Sequence, residues 1–217
     1  MHTNGQAVED MIAAIKPATL VAATKYIEAG DIDELEAHGC MIYGENRVQD
    51  FLRKYDAYKG KGHWHFIGTL QTNKIRQIID KVELIHSVAN TRIIDEIEKQ
   101  AAKRDIVMDV LLQVNIAREE SKHGFDETEM DDVMAHLEDK PHVHPVGLMM
   151  MAPNIEPVED TRVYFLKTRE LLERLQKDHP DMKELSMGMS HDWQIALEEG
   201  ATLIRVGRAL YTDETTA

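Results

Sequence analysis

Short apolar runs alternate with helix-periodic stretches along this chain, beginning at Thr19-Leu-Val-Ala-Ala-Thr-Lys25-Tyr26. That run, bounded by Pro17 and by Gly30-Asp31, predicts a buried strand. Asp31, with Glu34 three positions on, reads as a helix N-cap with its partner glutamate, and Gly39 as the helix stop. Further strands are predicted over residues 41–43, 63–67, 82–88, 108–115, 143–151, 185–190 and 203–207. The stretches between them place apolar residues on one helical face. Val48, Phe51, Leu52 and Tyr55 form the first such set, and Ile75, Ile78 and Ile79 the next. Ile93, Ile94, Ile97 and Ala101 follow an Asn90 cap, and Met130, Val133, Met134 and Leu137 follow Asp126. Leu171, Leu172 and Leu175 precede Pro180, and Trp193, Ala196 and Leu197 precede Gly200.

Eight strands alternating with helices predict an α/β fold, a single (β/α)8 TIM barrel occupying residues 1–217 as one domain. A doubly wound open sheet is the alternative, because alternation does not show closure. Several runs are continuously apolar, as expected of strands covered on both faces. A length of 217 residues suits one such domain, with 43% hydrophobic and 29% charged residues for a sizeable core. The charge balance of 25 basic against 39 acidic residues, net −14, argues against nucleic acid or an anionic membrane as partner. An anionic ligand then has to be held by a local site. The single cysteine, Cys40, forms no internal disulfide and suits a reducing cytoplasm, where it reads as a small buried residue. No basic-then-apolar leader is seen, and no run reaches the ~18 apolar residues needed to span a bilayer.

Lys25 changes the picture from fold to chemistry. A lysine at the tip of an apolar strand is costly to bury, and desolvation there favours the neutral amine, a nucleophile toward aldehydes. Locally, a lysine that snorkels to the surface is the simpler account; the rest of the chain favours the nucleophile. In a barrel the functional face lies at the C-terminal ends of the strands. The residues there are Lys25, Asn46, His65, Gly68, Asn115, Met149, Ser186 to Ser190, and Arg205 to Gly207. Ser186-Met-Gly188-Met-Ser190 and Arg205-Val-Gly207-Arg208, on the last two strands, suggest a phosphate cradle of backbone N–H groups and hydroxyls. A lysine facing a phosphate site suggests either a sugar-phosphate aldolase or a pyridoxal 5′-phosphate site. Arg205 keeps its proton in a buried strand, so it needs a partner such as a ring nitrogen, a phosphate or a structural carboxylate.

These residues carry a resemblance. Val21-Ala-Ala-Thr-Lys25, Tyr43-Gly-Glu-Asn-Arg-Val-Gln49, Trp64-His-Phe-Ile-Gly-Thr-Leu-Gln-Thr-Asn-Lys74, Gln113-Val-Asn115 with Ser121-Lys122, Gly147-Leu-Met149, Leu185-Ser-Met-Gly-Met-Ser190 and Ile204-Arg-Val-Gly207 resemble the pyridoxal phosphate homeostasis protein family, in the family's order. That family is similar in fold to the N-terminal barrel of alanine racemase and lacks the racemase's second, β-rich domain. The resemblance implies pyridoxal 5′-phosphate as cofactor, held on Lys25 as an internal aldimine. It implies a phosphate held by Ser186, Gly188, Ser190, Gly207 and the backbone at Arg208, with Arg205 near the pyridine nitrogen and Asn46, His65 and Met149 around the pocket.

The implied role is a cofactor carrier or buffer in vitamin B6 and amino-acid homeostasis, a cytoplasmic monomer or weak dimer serving apo-enzymes that use the cofactor. A weak amino-acid racemase and a Schiff-base aldolase are the other readings. Robust catalysis is not expected, because racemisation needs acid/base groups on both cofactor faces. Arg47 and Arg208 depart from the family's usual residues, and the short stretch before the first strand implies loss of a covering helix. His63, His65 and His86 lack metal-ligand spacing and read as core or surface histidines. Met149-Met-Met151 reads as core filling, and Lys74 and Lys122 as solvated rivals of Lys25.

Overall fold

The computed structural model describes residues 1–119 and 123–212. Among these, eight parallel strands close into a barrel: β2 (Thr19–Ala23), β3 (Ile42–Glu45), β4 (His63–Phe66), β5 (Leu84–Val88), β6 (Met108–Gln113), β7 (Val143–Met149), β8 (Glu184–Ser186) and β9 (Leu203–Val206). Closure is made by β9 pairing with β2, with Leu203 opposite Thr19 and Val206 opposite Ala22. That pairing excludes the open sheet. Helices α2 (Ala29–Ala37), α3 (Val48–Ala57), α4 (Thr72–Ile78), α5 (Thr91–Ala102), α6 (Met130–Leu137), α7 (Arg162–Leu175) and α8 (Trp193–Glu198) connect successive strands.

Two apolar layers follow from the alternation of side chains along each strand. Val21, Leu84, Leu111, Met149 and Leu203 fill the barrel interior. A larger set, including Leu20, Ala22, Tyr43, Trp64, Phe66 and Ile85 from the strands, packs outward against the helices. Burying such a layer from water supplies most of the drive to fold, at roughly 25 cal/mol per Å² of apolar surface.

The covering helix expected to be lost is present. It is α1 (Gly5–Ala14), capped by the Asn4 side chain, which accepts from Ala7 N at 3.2 Å, with Val8 buried. Ahead of it, β1 (His2–Thr3) pairs antiparallel with β10 (Tyr211–Thr212), so the two ends of the described chain meet beside the barrel. After the last strand the chain makes a short 3-10 turn over Arg208–Leu210.

Several strands stop earlier than their apolar runs. The first ends at Ala23, because Thr24 turns the chain: Ile27 N donates to its carbonyl at 3.1 Å. The seventh run ends at Ser186, since Gly188 adopts φ +90°, a left-handed conformation that only glycine enters readily. A Cβ there would also sit 2.6 Å from the Ala196 Cβ.

Candidate functional site

The sequence-predicted residues fall into two layers of the barrel. Lys25, Asn46, Gly188, Ser190, Gly207 and Arg208 lie beyond or at the C-terminal ends of their strands, at one mouth. His65, Met149, Ser186 and Arg205 lie within strands, and three of them form part of a polar network below that mouth.

At the mouth, Lys25 is exposed, with Nζ 4.9 Å from the centroid of the Tyr26 ring. Burial therefore does not set this amine apart; the lysine hidden in the interior is another one, Lys54, only 1% exposed. Gly207 is close by, since a Cβ on it would lie 3.4 Å from Tyr26 Cε2 and 3.6 Å from Ala23 Cβ. Because β9 is the neighbour of β2, the glycine segment and the lysine come to one place. Asn46 follows β3, held from behind by Gly68: a Cβ on that glycine would fall 2.1 Å from the Asn46 carbonyl oxygen. Asn46 Oδ1 is, with Ser87 Oγ, one of two buried side-chain polar atoms lacking a hydrogen-bond partner among the described residues. Ser190 and Arg208 are exposed.

Below the mouth, Arg205 is 6% exposed and donates to Ser186 Oγ and, at 2.9 Å, to the Met150 carbonyl. Ser186 Oγ also lies 2.8 Å from His86 Nδ1, and His86 Nε2 lies 2.9 Å from His65 Nδ1. Three groups able to carry positive charge thus stand in a row, buried inside the barrel, and desolvation decides among them. Burial pushes His65 down to about 4, and His63 adds to the effect. Burial also holds His86 well below the usual imidazole range, with His65 and Arg205 adding repulsion. Arg205 falls only to about 10 by burial, opposed by Asp192, so the guanidinium keeps the charge. With both imidazoles neutral, the hydrogen assignment that uses every atom runs one way: Arg205 donates to Ser186, Ser186 to His86 and His86 to His65.

Among the described residues, no carboxylate comes within 4.0 Å of Arg205. Both acceptors of its recorded side-chain hydrogen bonds are neutral. A buried cation met, among the described residues, by neutral oxygens, and a buried amide oxygen without a donor at the mouth, fit a ligand that brings both negative charge and hydrogen-bonding atoms.

The structure separates other candidates from the mouth. His65 pairs with Gly44, a layer below Asn46, and lines a cavity of about 430 Å³ at the opposite end, with the strand starts Thr19, Ile42, Leu84 and Leu203. The Ser186 hydroxyl is engaged by Arg205 and His86, so it supports Arg205 from below. Met149 packs in the interior apolar layer. Lys74 is on the first turn of α4 and half-buried, while Ser121 and Lys122 lie outside the described residues. Sequence reasoning missed Glu45 and Lys54, a buried ion pair at 2.8 Å directly behind the ends of β2 and β3. The one signal was Lys54 sitting beside Phe51 and Tyr55 at the edge of a helix's apolar stripe.

Residues 2–215 match the family model of the alanine racemase N-terminal domain. The pyridoxal phosphate homeostasis protein of Aquifex aeolicus is 45% identical over 196 residues, 89% of this chain and 86% of that protein. The chain belongs to the pyridoxal phosphate homeostasis protein family. PipY of Synechococcus elongatus, a structure with PLP bound, is 31% identical and superposes with a TM-score of 0.89, covering 96% of this chain and 99% of that one. The alanine racemase of Corynebacterium glutamicum shares the fold at 16% identity and a TM-score of 0.79, covering 98% of this chain and 61% of that one. Within the family's motifs, Lys25 closes the first barrel strand's run, Asn46 the second, and Gly188 and Gly207 the last two.

Proposed function

We propose that this chain binds pyridoxal 5′-phosphate at the Lys25 mouth and serves as its carrier or buffer, releasing it to apo-enzymes that require it. One observation carries the reading: an exposed lysine shares a mouth with a glycine segment and with the buried, partnerless Asn46 Oδ1, above a guanidinium that no carboxylate contacts among the described residues. When bound, the cofactor supplies an aldehyde that condenses with an amine and releases water.

The chain's own residues then have separate tasks. Lys25 supplies the amine. Backbone N–H groups around Gly188, Ser190, Gly207 and Arg208, with the Ser190 hydroxyl, hold the phosphate. Arg205 presents its guanidinium to the ring nitrogen, with Ser186 and His86 fixing its direction. Asn46 donates or accepts at the ring's edge. Exposure of Lys25 suits handover, since a second amine can reach the linkage from solvent. The protein works in the cytoplasm as a monomer or weak dimer; among the described residues no helix is long and apolar enough to cross a membrane.

Purified protein mixed with the cofactor is expected to gain a visible absorption band that borohydride bleaches. Mass spectrometry should then find the pyridoxyl group on the peptide containing Lys25, and Lys25→Ala should carry none. Label found chiefly on Lys74 or Lys122 would reject the site. The loaded protein should restore an apo-enzyme while alanine and serine keep their configuration; turnover of either in the ordinary enzymatic range would favour the racemase reading.

A further inference from the structure

Glu45 and Lys54 form a knot that ties together the ends of the two strands from which Lys25 and Asn46 emerge. Lys54 Nζ donates to the Glu45 Oε1 carboxylate oxygen at 2.8 Å and to the Thr24 carbonyl at 2.6 Å. The same Oε1 accepts from Thr24 Oγ1 at 3.0 Å. Oε2, on the other side, accepts from the backbone N–H of Asn46 at 2.9 Å and of Arg47 at 3.4 Å. Thr24 is the residue before Lys25, and Asn46 is the residue after Glu45. The regular ladder between β2 and β3 ends at Ala23 and Gly44, with two further contacts to the Gly44 carbonyl, from Thr24 N at 3.0 Å and from Thr24 Oγ1 at 3.3 Å. Beyond that point the carboxylate and the ammonium provide the link between the two chain ends.

Such a pair is a weak way to stabilise a barrel. Desolvating two charges costs roughly what their attraction returns, and apolar replacements of similar volume often serve stability as well. Lys54 is 1% exposed and Glu45 fully buried, so the desolvation is complete. What the pair supplies that apolar packing does not is direction: charge-assisted hydrogen bonds to a named carbonyl and a named amide, at the two positions where site residues leave the sheet.

We infer that Glu45 and Lys54 are positioning residues for the cofactor site, setting the height and direction at which Lys25 and Asn46 leave β2 and β3. The inference rests on the reading of Lys25 as the attachment point. The pair touches neither the cofactor nor Lys25 Nζ; it acts through the Thr24 carbonyl and the Asn46 amide. Lys54 uses two of its three donors this way, and the carboxylate takes four hydrogen bonds across its two oxygens. Shortening or removing either member releases both strand ends at once.

The test compares wild type with the double variant Glu45→Leu/Lys54→Met, which removes both charges and keeps the volume, so that folding survives. Circular dichroism and the melting temperature report the fold. Amide hydrogen exchange on the cofactor-free proteins reports Lys25, Tyr26, Asn46 and Arg47 directly. Titration with pyridoxal 5′-phosphate and the rate of borohydride-trapped labelling report the site. The expected result is a folded double variant whose exchange at those four amides is at least tenfold faster. Its cofactor affinity and labelling rate fall at least tenfold, and the pH profile of labelling shifts. Lys54→Arg, which keeps the charge and can reach the Thr24 carbonyl, should recover part of the loss. A folded double variant with wild-type exchange, affinity and labelling would overturn the inference and leave the pair a packing feature. Wild-type protein without label on Lys25 would instead reject the attachment reading, and the exchange arm alone would then decide whether the pair orders the strand ends. Unchanged exchange in that arm overturns the inference as well.

Discussion

Two buried cations flank the same barrel, and they are treated in opposite ways. Lys54, behind β2 and β3, meets the Glu45 carboxylate at 2.8 Å and is enclosed by Thr24. Arg205, inside β9, meets among the described residues a serine hydroxyl and a main-chain carbonyl, with Asp192 acting at longer range. The first charge is neutralised within the fold; the second keeps its charge with no carboxylate contact among the described residues. A closed ion pair has no capacity left for a ligand, whereas an arginine held by neutral acceptors can still gain from an arriving acceptor or anion. On the proposed reading, the difference separates a cation that shapes the site from one that meets what enters it.

The largest expected effect breaks the closed side of that contrast. Glu45→Ala leaves Lys54 buried without its counter-charge, and removal of one partner from such a pair costs roughly 3–5 kcal/mol. Urea unfolding of the cofactor-free protein should show a loss of that size; a loss below about 1 kcal/mol would mean that Lys54 is not held as described. Removing both charges together should cost far less.

Next in size is a pH effect from the histidines that support Arg205. The folded value of His65 is about 4 against the ordinary 6.5, so the unfolded chain binds the proton more readily. Stability is therefore full above about pH 6.5 and falls as pH drops toward 4, by about 3 kcal/mol for this group at 1.36 kcal/mol per unit. His86 acts in the same direction. In His65→Phe the slope between these limits should flatten relative to wild type. An unchanged slope would show that His65 is accessible to protons in the native state.

Arg205→Met should reverse the pattern seen at Glu45. Two hydrogen bonds to neutral acceptors are lost together with the cost of burying the guanidinium, so stability changes less than in Glu45→Ala, while cofactor affinity drops at least tenfold, the scale of one hydrogen bond to a charged group, roughly 1.5–3 kcal/mol. Titration of both variants with pyridoxal 5′-phosphate sharpens the comparison. Should Arg205→Met bind as wild type does, the charge does not face the ligand. The smallest effect is expected at Arg208, an exposed side chain. Arg208→Ala should weaken binding by less than about 1 kcal/mol, with the difference shrinking as salt is raised.

Much of the candidate mouth was legible because barrel residues that share a mouth lie at strand ends, and strand ends can be read from where apolar runs stop. Lys25, Asn46, Gly188 and Gly207 all follow from that rule. The same reading placed His65 with Asn46, yet residues two apart on neighbouring strands occupy different layers, and His65 belongs to the lower one. The first helix carries its own signal, since Val8, Met11, Ile12 and Ile15 show the i, i+3, i+4, i+7 spacing.

What the sequence determined by itself is the succession of elements, since each needs only its own periodicity and its own breakers, from Asn90 as a cap to Gly200 as a stop. Family membership was also written there, in motifs spread over nearly the whole chain. Only the tertiary structure decided which charges are closed and which are open. Ser186 meets His86 from 100 residues away, and Lys54 meets Thr24 from 30. No local pattern encodes such meetings, because they depend on the closure of β9 against β2 and on the layer each side chain then occupies. Desolvation acts on the assembled barrel, so the partner of a buried cation is settled by the fold and not by its neighbours in the chain.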